Sequence, residues 1–339
     1  MTSTKTVPDV LRRAHDLVGP VARDAVWRLS PEIRPLVEYH LGFVDSHGRP
    51  AEASSGGKGV RPALAILSAE AAGAGAATGV PGAVAVELVH NFSLLHDDVI
   101  DCDQERRHRP TVWALFGIGP AIIAGDALLA LAQKVLLEAP AGGAAAACCL
   151  ADATGSMISG QALDMAFESR PSVDVESCLA MEAGKTGALL GCASSIGAVL
   201  AGADEEAVAA LREFGVQLGL AFQAVDDLLG IWGDPRATGK PAFGDLRQHK
   251  KTLPVAAALA AGDALAEELA SLLSVELLDE AQVARAARLV DHCGGRAIAT
   301  DEARGRLAAA LGALDGAALE PSAREELREV AGFVVAREF

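Results

Sequence analysis

The sequence predicts an all-α protein, and three observations predict it. Hydrophobic residues make up 51% of the 339 positions while aromatics supply only 4%. Alanine, leucine and glutamate are abundant and runs of β-branched residues are short, a balance that favours helices. Apolar residues recur at helical spacing, and no sustained alternation of apolar and polar residues argues for a sheet.

Residues 8–43 read as amphipathic helix interrupted at Pro20, Pro31 and Pro35, followed by a polar, Gly-rich stretch from Asp45 to Gly59. A helix is expected from Pro62, because proline suits a first helical turn, and runs to Ala72. Gly73–Gly82 reads as a loop, and Ala83 to about Cys102 as a long helix with Val86, Val89, Leu94 and Ile100 among its apolar residues. Gly119-Pro120 breaks the chain before a helix over 121–138. Further helices fit 144–168, 174–201, 204–232, 252–261, 263–273, 279–292, 296–314 and 321–337. The long polar interruption Gly233–Lys251 is rich in glycine, proline and charge, and a loop of that length inside a helical domain is often functional. Neither a short repeat nor a linker stands out, so one all-α domain over 1–339 is expected.

A formal net charge of −16 and the lack of a basic face or tail exclude a nucleic-acid binder of the usual kind. Any anion site must therefore be local. The six cysteines, Cys102, Cys148, Cys149, Cys178, Cys192 and Cys293, lack zinc-like spacing and read as reduced thiols of a helical core. The N-terminal residues have no apolar signal core, and no uninterrupted apolar run is long enough to span a membrane. A soluble cytoplasmic protein is expected.

Two acidic segments carry the chemistry. In Glu87–Asp103, ELVHNFSLLHDDVIDCD, Asp97 and Asp101 lie one helical turn apart on one face, with Asp98 beside them. Carboxylates crowded on an apolar helix repel one another and resist desolvation, so a cation should compensate. Magnesium fits, because it accepts carboxylate oxygens and completes its shell with water or phosphate. The second segment, LAFQAVDDLLGIWGD, sets Gln223 three residues before Asp226, next to Asp227. Two such sites in one helical chain read as two walls of one metal-bridged pocket.

Cations accompany both. Lys58 and Arg61 lie in GGKGVRP, where Gly56, Gly57 and Gly59 permit close backbone approach and the following helix start favours anions. Arg106, Arg107 and Arg109 follow the first acidic segment, Lys185-Thr186 sits in a Gly-flanked helix, and Lys240, Lys250 and Lys251 lie on the long loop. Gly184-Lys185-Thr186 ends like a P-loop, but that pattern needs a glycine where Leu179 stands, so a nucleotide loop is excluded.

From about Ser54 to Pro254 these motifs resemble the trans-isoprenyl diphosphate synthases, the polyprenyl synthetase family. The resemblance rests on GGKGVRP (Gly56–Pro62), HNFSLLHDDVIDCDQERRHRPT (His90–Thr111), Gly125-Asp126, GQALDMAFE (Gly160–Glu168), Lys185-Thr186, FQAVDD (Phe222–Asp227), Thr238–Lys240 and DLRQHKKTLP (Asp245–Pro254), in that order. It implies a helical bundle around a deep central cavity, a homodimer, and three magnesium ions. It assigns Asp97, Asp98 and Asp101 to metal on an allylic diphosphate, and Asp226, assisted by Asp227, to a further magnesium. Lys58, Arg61, His90 and Arg107 would hold isopentenyl diphosphate, and Arg106, Lys185, Lys240 and Lys250 the allylic diphosphate. Thr186 and Gln223 would face the reacting carbons. The chain departs from the family pattern twice: Gly230 replaces the last aspartate of the second motif, and His108 replaces the glycine after the arginine pair.

The implied reaction is ionisation of the allylic diphosphate, attack by the isopentenyl double bond, and loss of a proton. Phe92 and Ser93, five and four residues before Asp97, should meet the growing chain. In the family, a bulky residue followed by a small one resembles the pattern of C20 products, so geranylgeranyl diphosphate is expected. The other readings are a C15 or C25 product, a class I terpene cyclase, and a non-catalytic partner subunit of a synthase. The cyclase needs no second diphosphate site, and the subunit would be expected to lose its acidic motifs.

Overall fold

A computed structural model describes residues 8–51, 59–234, 242–275 and 277–335. It is almost wholly helical. Its helices are α1 (Asp9–Trp27), α2 (Arg34–His40), α3 (Val60–Ala71), α4 (Ala76–Ile100), α5 (Val112–Phe116), α6 (Ile118–Leu137), α7 (Gly143–Glu168), α8 (Val175–Glu182), α9 (Ala188–Ala193), α10 (Ile196–Ala201) and α11 (Glu205–Trp232). They continue as α12 (Gly244–Arg247), α13 (Leu253–Ala260), α14 (Ala264–Leu273), α15 (Glu280–His292), α16 (Gly295–Asp315) and α17 (Pro321–Val335). A π-helical turn, Ala183–Gly187, separates α8 from α9. The described residues fall into two compact units, one drawn from within 8–152, 192–212 and 317–330, the other from within 153–191, 213–316 and 331–335.

In the first unit α3 is buried from Pro62 through Ala69. Each of Leu64, Ile66 and Leu67, fully enclosed, contributes about 1.5–3 kcal/mol by leaving water. Small residues let the neighbouring helices close on α3. A methyl group added at Gly79 of α4 would stand 2.6 Å from the Ala65 carbonyl oxygen, and one at Gly82 would stand 2.8 Å from Cγ2 of Ile196. Gly73–Gly82 was expected to be a loop. Instead α4 begins at Ala76 and continues through Pro81, because these glycines serve helix packing rather than a turn.

Between α4 and α5 the chain makes the short antiparallel ribbon β1 (Glu105–Arg106) and β2 (Arg109–Pro110), which no alternation in the sequence announces. Its tight loop places Arg107 at φ 53° and His108 at φ 60°. A two-residue hairpin loop of this kind requires positive φ at both central residues, which glycine adopts at least cost. His108→Gly is therefore expected to stabilise the protein by about 1 kcal/mol. Thermal unfolding should show this as a rise in Tm of ~2 °C.

Among its described residues the second unit has two apolar clusters. One gathers Phe167, Cys178, Leu228, Leu253 and Ala299. The other gathers Ile231, Leu246, Val255, Leu269, Val283 and Val290. A capping box starts α15: the Asp279 carboxylate accepts from the Gln282 N–H at 2.8 Å, and the Gln282 side chain accepts from the Asp279 N–H at 2.9 Å.

The expectation that no segment has membrane-spanning character is corrected. Ile118–Leu137, Val175–Ala201 and Glu205–Trp232 are each long and apolar enough to cross a membrane by length and composition. The difference arises because charged residues interrupt each segment without lowering the apolarity of its most apolar stretch: Asp126 and Lys134 in the first, three charges in the second and six in the third. Most of the residues in the second and third of these segments are buried.

Candidate active site

The first acidic segment closes α4. Asp97 and Asp98 occupy its last turn, and Asp101 is its C-cap, its N–H donating to the Asp97 carbonyl at 2.8 Å. The chain is then tied down at one oxygen. The Asp103 carbonyl accepts from both the Thr111 hydroxyl and the Trp113 indole N–H, each at 2.8 Å. This anchoring returns the ribbon to the aspartates, and Arg106 Nε donates to Asp98 Oδ1 at 2.6 Å.

The three aspartates are not equivalent. Asp101 is exposed and Asp97 half-buried, whereas Asp98 is 1% exposed. Burial raises the Asp98 carboxyl above its ordinary range, and the Arg106 guanidinium opposes that shift. Its second oxygen, Oδ2, is buried without a hydrogen-bond partner. An orphaned buried carboxylate oxygen beside two further aspartates is a donor set that a hard cation satisfies.

Arg61, in the first turn of α3, reaches His90 on α4, with Nη1 and Nε2 3.3 Å apart. Guanidinium nitrogens only donate, so His90 Nε2 accepts and the ring proton sits on Nδ1. Burial first, then the charge of Arg61, holds His90 well below its ordinary pKa, so the ring stays neutral. His40 is likewise pushed down to about 3, by burial and then by Arg107 and Arg106. Neutral histidines among arginines leave the region with excess positive charge, suited to a diphosphate. Arg106, Arg107 and Asp98 line a pocket there of about 360 Å³, together with Arg109. Arg109 itself stacks on the Tyr39 ring, 4.3 Å from its centroid, and donates to the Val44 carbonyl at 3.0 Å. That fixes the base of the ribbon.

Within the second unit, Lys185, Thr186, Gln223, Asp226, Asp227 and Lys250 line one cleft of about 580 Å³. The sequence proposed all six. The expected single helix over 174–201 is broken here by the π-helical turn Ala183–Gly187, which carries Lys185 and Thr186. Such turns are rare and gather at functional sites. Packing holds this one: a methyl group on Gly160 of α7 would collide with the Lys185 backbone nitrogen. From the same helix, Asp164 Oδ2 takes the Lys185 ammonium at 2.5 Å.

A relay runs back from the turn. The Thr186 hydroxyl donates to Gln223 Oε1 at 2.8 Å, and Gln223 Nε2 donates to Asp227 Oδ1 at 2.8 Å. The other oxygen of Asp227 accepts from the Leu253 N–H at the start of α13, at 3.0 Å. Both oxygens of Asp227 are thus occupied by protein donors. Burial first, then the neighbouring Glu182, raises its carboxyl well above the ordinary range. Glu182 is also raised, to about 7, chiefly by burial. Asp226 is half-buried and lines the cleft, where a ligand can reach it.

The residues that sequence reasoning passed over are Asp164, Glu182 and Asp245. Asp245 explains the glycine at 230. Its carboxylate lies where a side chain at Gly230 would project, and a methyl group there would collide with Oδ2. The long loop thus returns a carboxylate to the place left by the missing third aspartate of the motif. Asp245 stands in the motif DLRQHKKTLP, and that is the one signal that could have found it. Lys58 and Lys240 lie outside the described residues.

Among the described residues, no three His, Cys, Asp or Glu side chains converge into a ready-made metal cage. Carboxylates that supply only part of a coordination shell suit magnesium bound together with phosphate oxygens and water.

The sequence model described as "Polyprenyl synthetase" matches residues 50–290. The chain is 46% identical over 340 residues to a (2E,6E)-farnesyl diphosphate synthase of Mycobacterium tuberculosis, covering 98% of this chain and 94% of that protein. It is 44% identical over 315 residues to a geranylgeranyl diphosphate synthase of the same organism, covering 92% and 90%. A crystal structure of polyprenyl synthetase from Streptomyces coelicolor A3(2) superposes with a TM-score of 0.93 at 52% identity, covering 98% of this chain and all of that one.

Proposed function

The chain belongs to the polyprenyl synthetase family and is a trans-prenyltransferase, and we propose that it condenses isopentenyl diphosphate with an allylic diphosphate to make geranylgeranyl diphosphate. The observation that carries the reaction is the pairing, in each unit, of carboxylates with diphosphate-binding cations. Asp97, Asp98 and Asp101 accompany Arg61, Arg106 and Arg107, and Asp226 accompanies Lys185 and Lys250.

Asp97, Asp101 and Asp226 hold magnesium, with the open oxygen of Asp98 available to the first group. When bound, the metal neutralises charge on the departing diphosphate. Lys185 exchanges its ion pair with Asp164 for a diphosphate oxygen, and Lys250 adds a second cation on the same cleft. Arg61 and Arg107, beside the neutral His90, hold the isopentenyl diphosphate. The relay from Asp227 through Gln223 to Thr186 fixes two polar side chains where an allylic carbon gains positive charge. We extend the reading to three magnesium ions, to a cytoplasmic location, in keeping with six unbridged cysteines, and to a homodimer. The dimer is supported by exposed Leu115, Phe116, Ile118, Ile122 and Ile123, an apolar run that a second copy would cover.

Product length is assigned to Phe92 and Ser93. Phe92 is 7% exposed, with its ring edge-on to His96 at a centroid distance of 4.8 Å. Ser93 is half-buried, its hydroxyl donating to the His90 carbonyl at 2.9 Å. A rigid aromatic followed by a short side chain supports the C20 reading. The similarity to a farnesyl diphosphate synthase favours a C15 product as the second reading. Phe92→Ala decides whether this residue is the floor: the expected products extend beyond those of the parent by one or more isoprene units on chromatography. Unchanged product length removes Phe92 from that role.

A further inference from the structure

The six cysteines read as inert core thiols in the sequence, and the structure separates them. Cys102 and Cys148 are exposed, whereas Cys178 and Cys192 are buried. Cys149 on α7 and Cys192 on α9, 43 residues apart in the chain, bring their sulfur atoms to 3.7 Å. The Arg212 guanidinium lies 3.8 Å from the Cys149 sulfur. Cys149 is partly open to solvent, and Cys192 is 3% exposed. This arrangement joins an accessible thiol, a cation beside it and a second thiol behind it.

We propose that Cys149 and Cys192 form an oxidisable dithiol, in which a hydroperoxide attacks at Cys149 and Cys192 resolves the product into an intramolecular disulfide. The two thiols are chemically distinct. The hydrogen bond with Cys192, and then the charge of Arg212, lower the Cys149 thiol to about 6 against the effect of burial. The same contact and complete enclosure push the Cys192 thiol up. Cys149 is therefore the nucleophile and Cys192 retains its proton.

In the first step the Cys149 thiolate attacks one peroxide oxygen and the O–O bond breaks. Cys149 becomes a sulfenic acid, sulfur losing two electrons, while the other oxygen leaves as hydroxide or alkoxide. In the second step Cys192 sulfur attacks the sulfenic sulfur. The S–S bond forms, the S–O bond breaks, and the departing hydroxide takes the Cys192 proton as water. A disulfide bond is about 2.05 Å long, so the sulfurs need close a gap of only ~1.7 Å, within the reach of side-chain rotation.

The test treats the purified full-length protein with hydrogen peroxide in slight molar excess and follows free thiols and cross-linked peptides by mass spectrometry. The expected result is a fall from six free thiols to four, with one peptide pair joined through Cys149 and Cys192 and restored by dithiothreitol. Cys192→Ser should leave a sulfenic acid at Cys149 that dimedone traps. Arg212→Met should slow the oxidation about tenfold at about pH 5, below the Cys149 pKa of about 6, where one pKa unit at the nucleophile is a tenfold change in thiolate. Retention of six thiols, a cross-link through Cys148 or Cys102, or unchanged kinetics in Arg212→Met would each overturn the proposal. Peptide mapping of the parent protein answers the question even where a variant fails to fold.

Discussion

Asp226→Ala is expected to lower kcat for prenyl transfer by about 10²–10³-fold while changing the urea midpoint little. Asp226 lines the second cleft and is reachable by a ligand. Its proposed task is to hold the cation that stabilises charge on the leaving diphosphate, and losing one such electrostatic contact costs about 3–4 kcal/mol of transition-state stabilisation. Removing a half-buried carboxylate from an acidic cleft, where Asp164 and Asp245 also stand, relieves repulsion in the unliganded protein. Steady-state kinetics and urea unfolding on the same preparation should therefore separate: activity falls and stability holds. Asp226→Asn should lose nearly as much activity, because the amide keeps the shape and loses the charge.

Asp227→Ala, one residue on, is expected to behave in the opposite order, costing about 2–4 kcal/mol of folding stability. Asp227 is buried and accepts from Gln223 through one oxygen and from the Leu253 N–H through the other. Alanine leaves the buried Leu253 N–H unpaired and strips the half-buried Gln223 amide of its acceptor. It also releases the start of α13 and the relay that positions Thr186, so activity falls as a consequence. Asp227→Asn keeps an acceptor and should lose roughly half as much stability, measured from the urea midpoint at constant m-value. If Asp227→Ala leaves the midpoint in place, its buried hydrogen bonds do not have the structural role assigned to them. Two adjacent aspartates of one motif thus divide binding from scaffolding.

The sequence made both acidic segments legible for a physical reason. Carboxylates inside an apolar helical pattern demand compensation, and that demand is visible without coordinates. The motifs that carry the family resemblance also named Lys185, Thr186, Gln223 and Lys250, which line the same cleft as Asp226 and Asp227. Local pattern could not show features set by long-range packing. The π-helical turn at Ala183–Gly187 is held by the close approach of Gly160 from another helix. Ala76–Gly82 has the composition of a loop, yet its glycines make room for Ala65 and Ile196. Asp245 looked like one polar residue among many until its carboxylate was found beside Gly230. Asp98 and Asp227 look in the sequence like their more accessible neighbours Asp97, Asp101 and Asp226, and only burial distinguishes them.

The central claim is that this chain elongates an allylic diphosphate with isopentenyl diphosphate. The most direct measurement incubates the purified protein with magnesium, isopentenyl diphosphate and each of the C5, C10 and C15 allylic diphosphates separately, then resolves the products by chain length, with chelator added to a parallel set. The account predicts elongation of at least one starter to a C20 diphosphate, with release of one pyrophosphate per condensation and no reaction under chelation. No elongation of any starter in the presence of magnesium would contradict it.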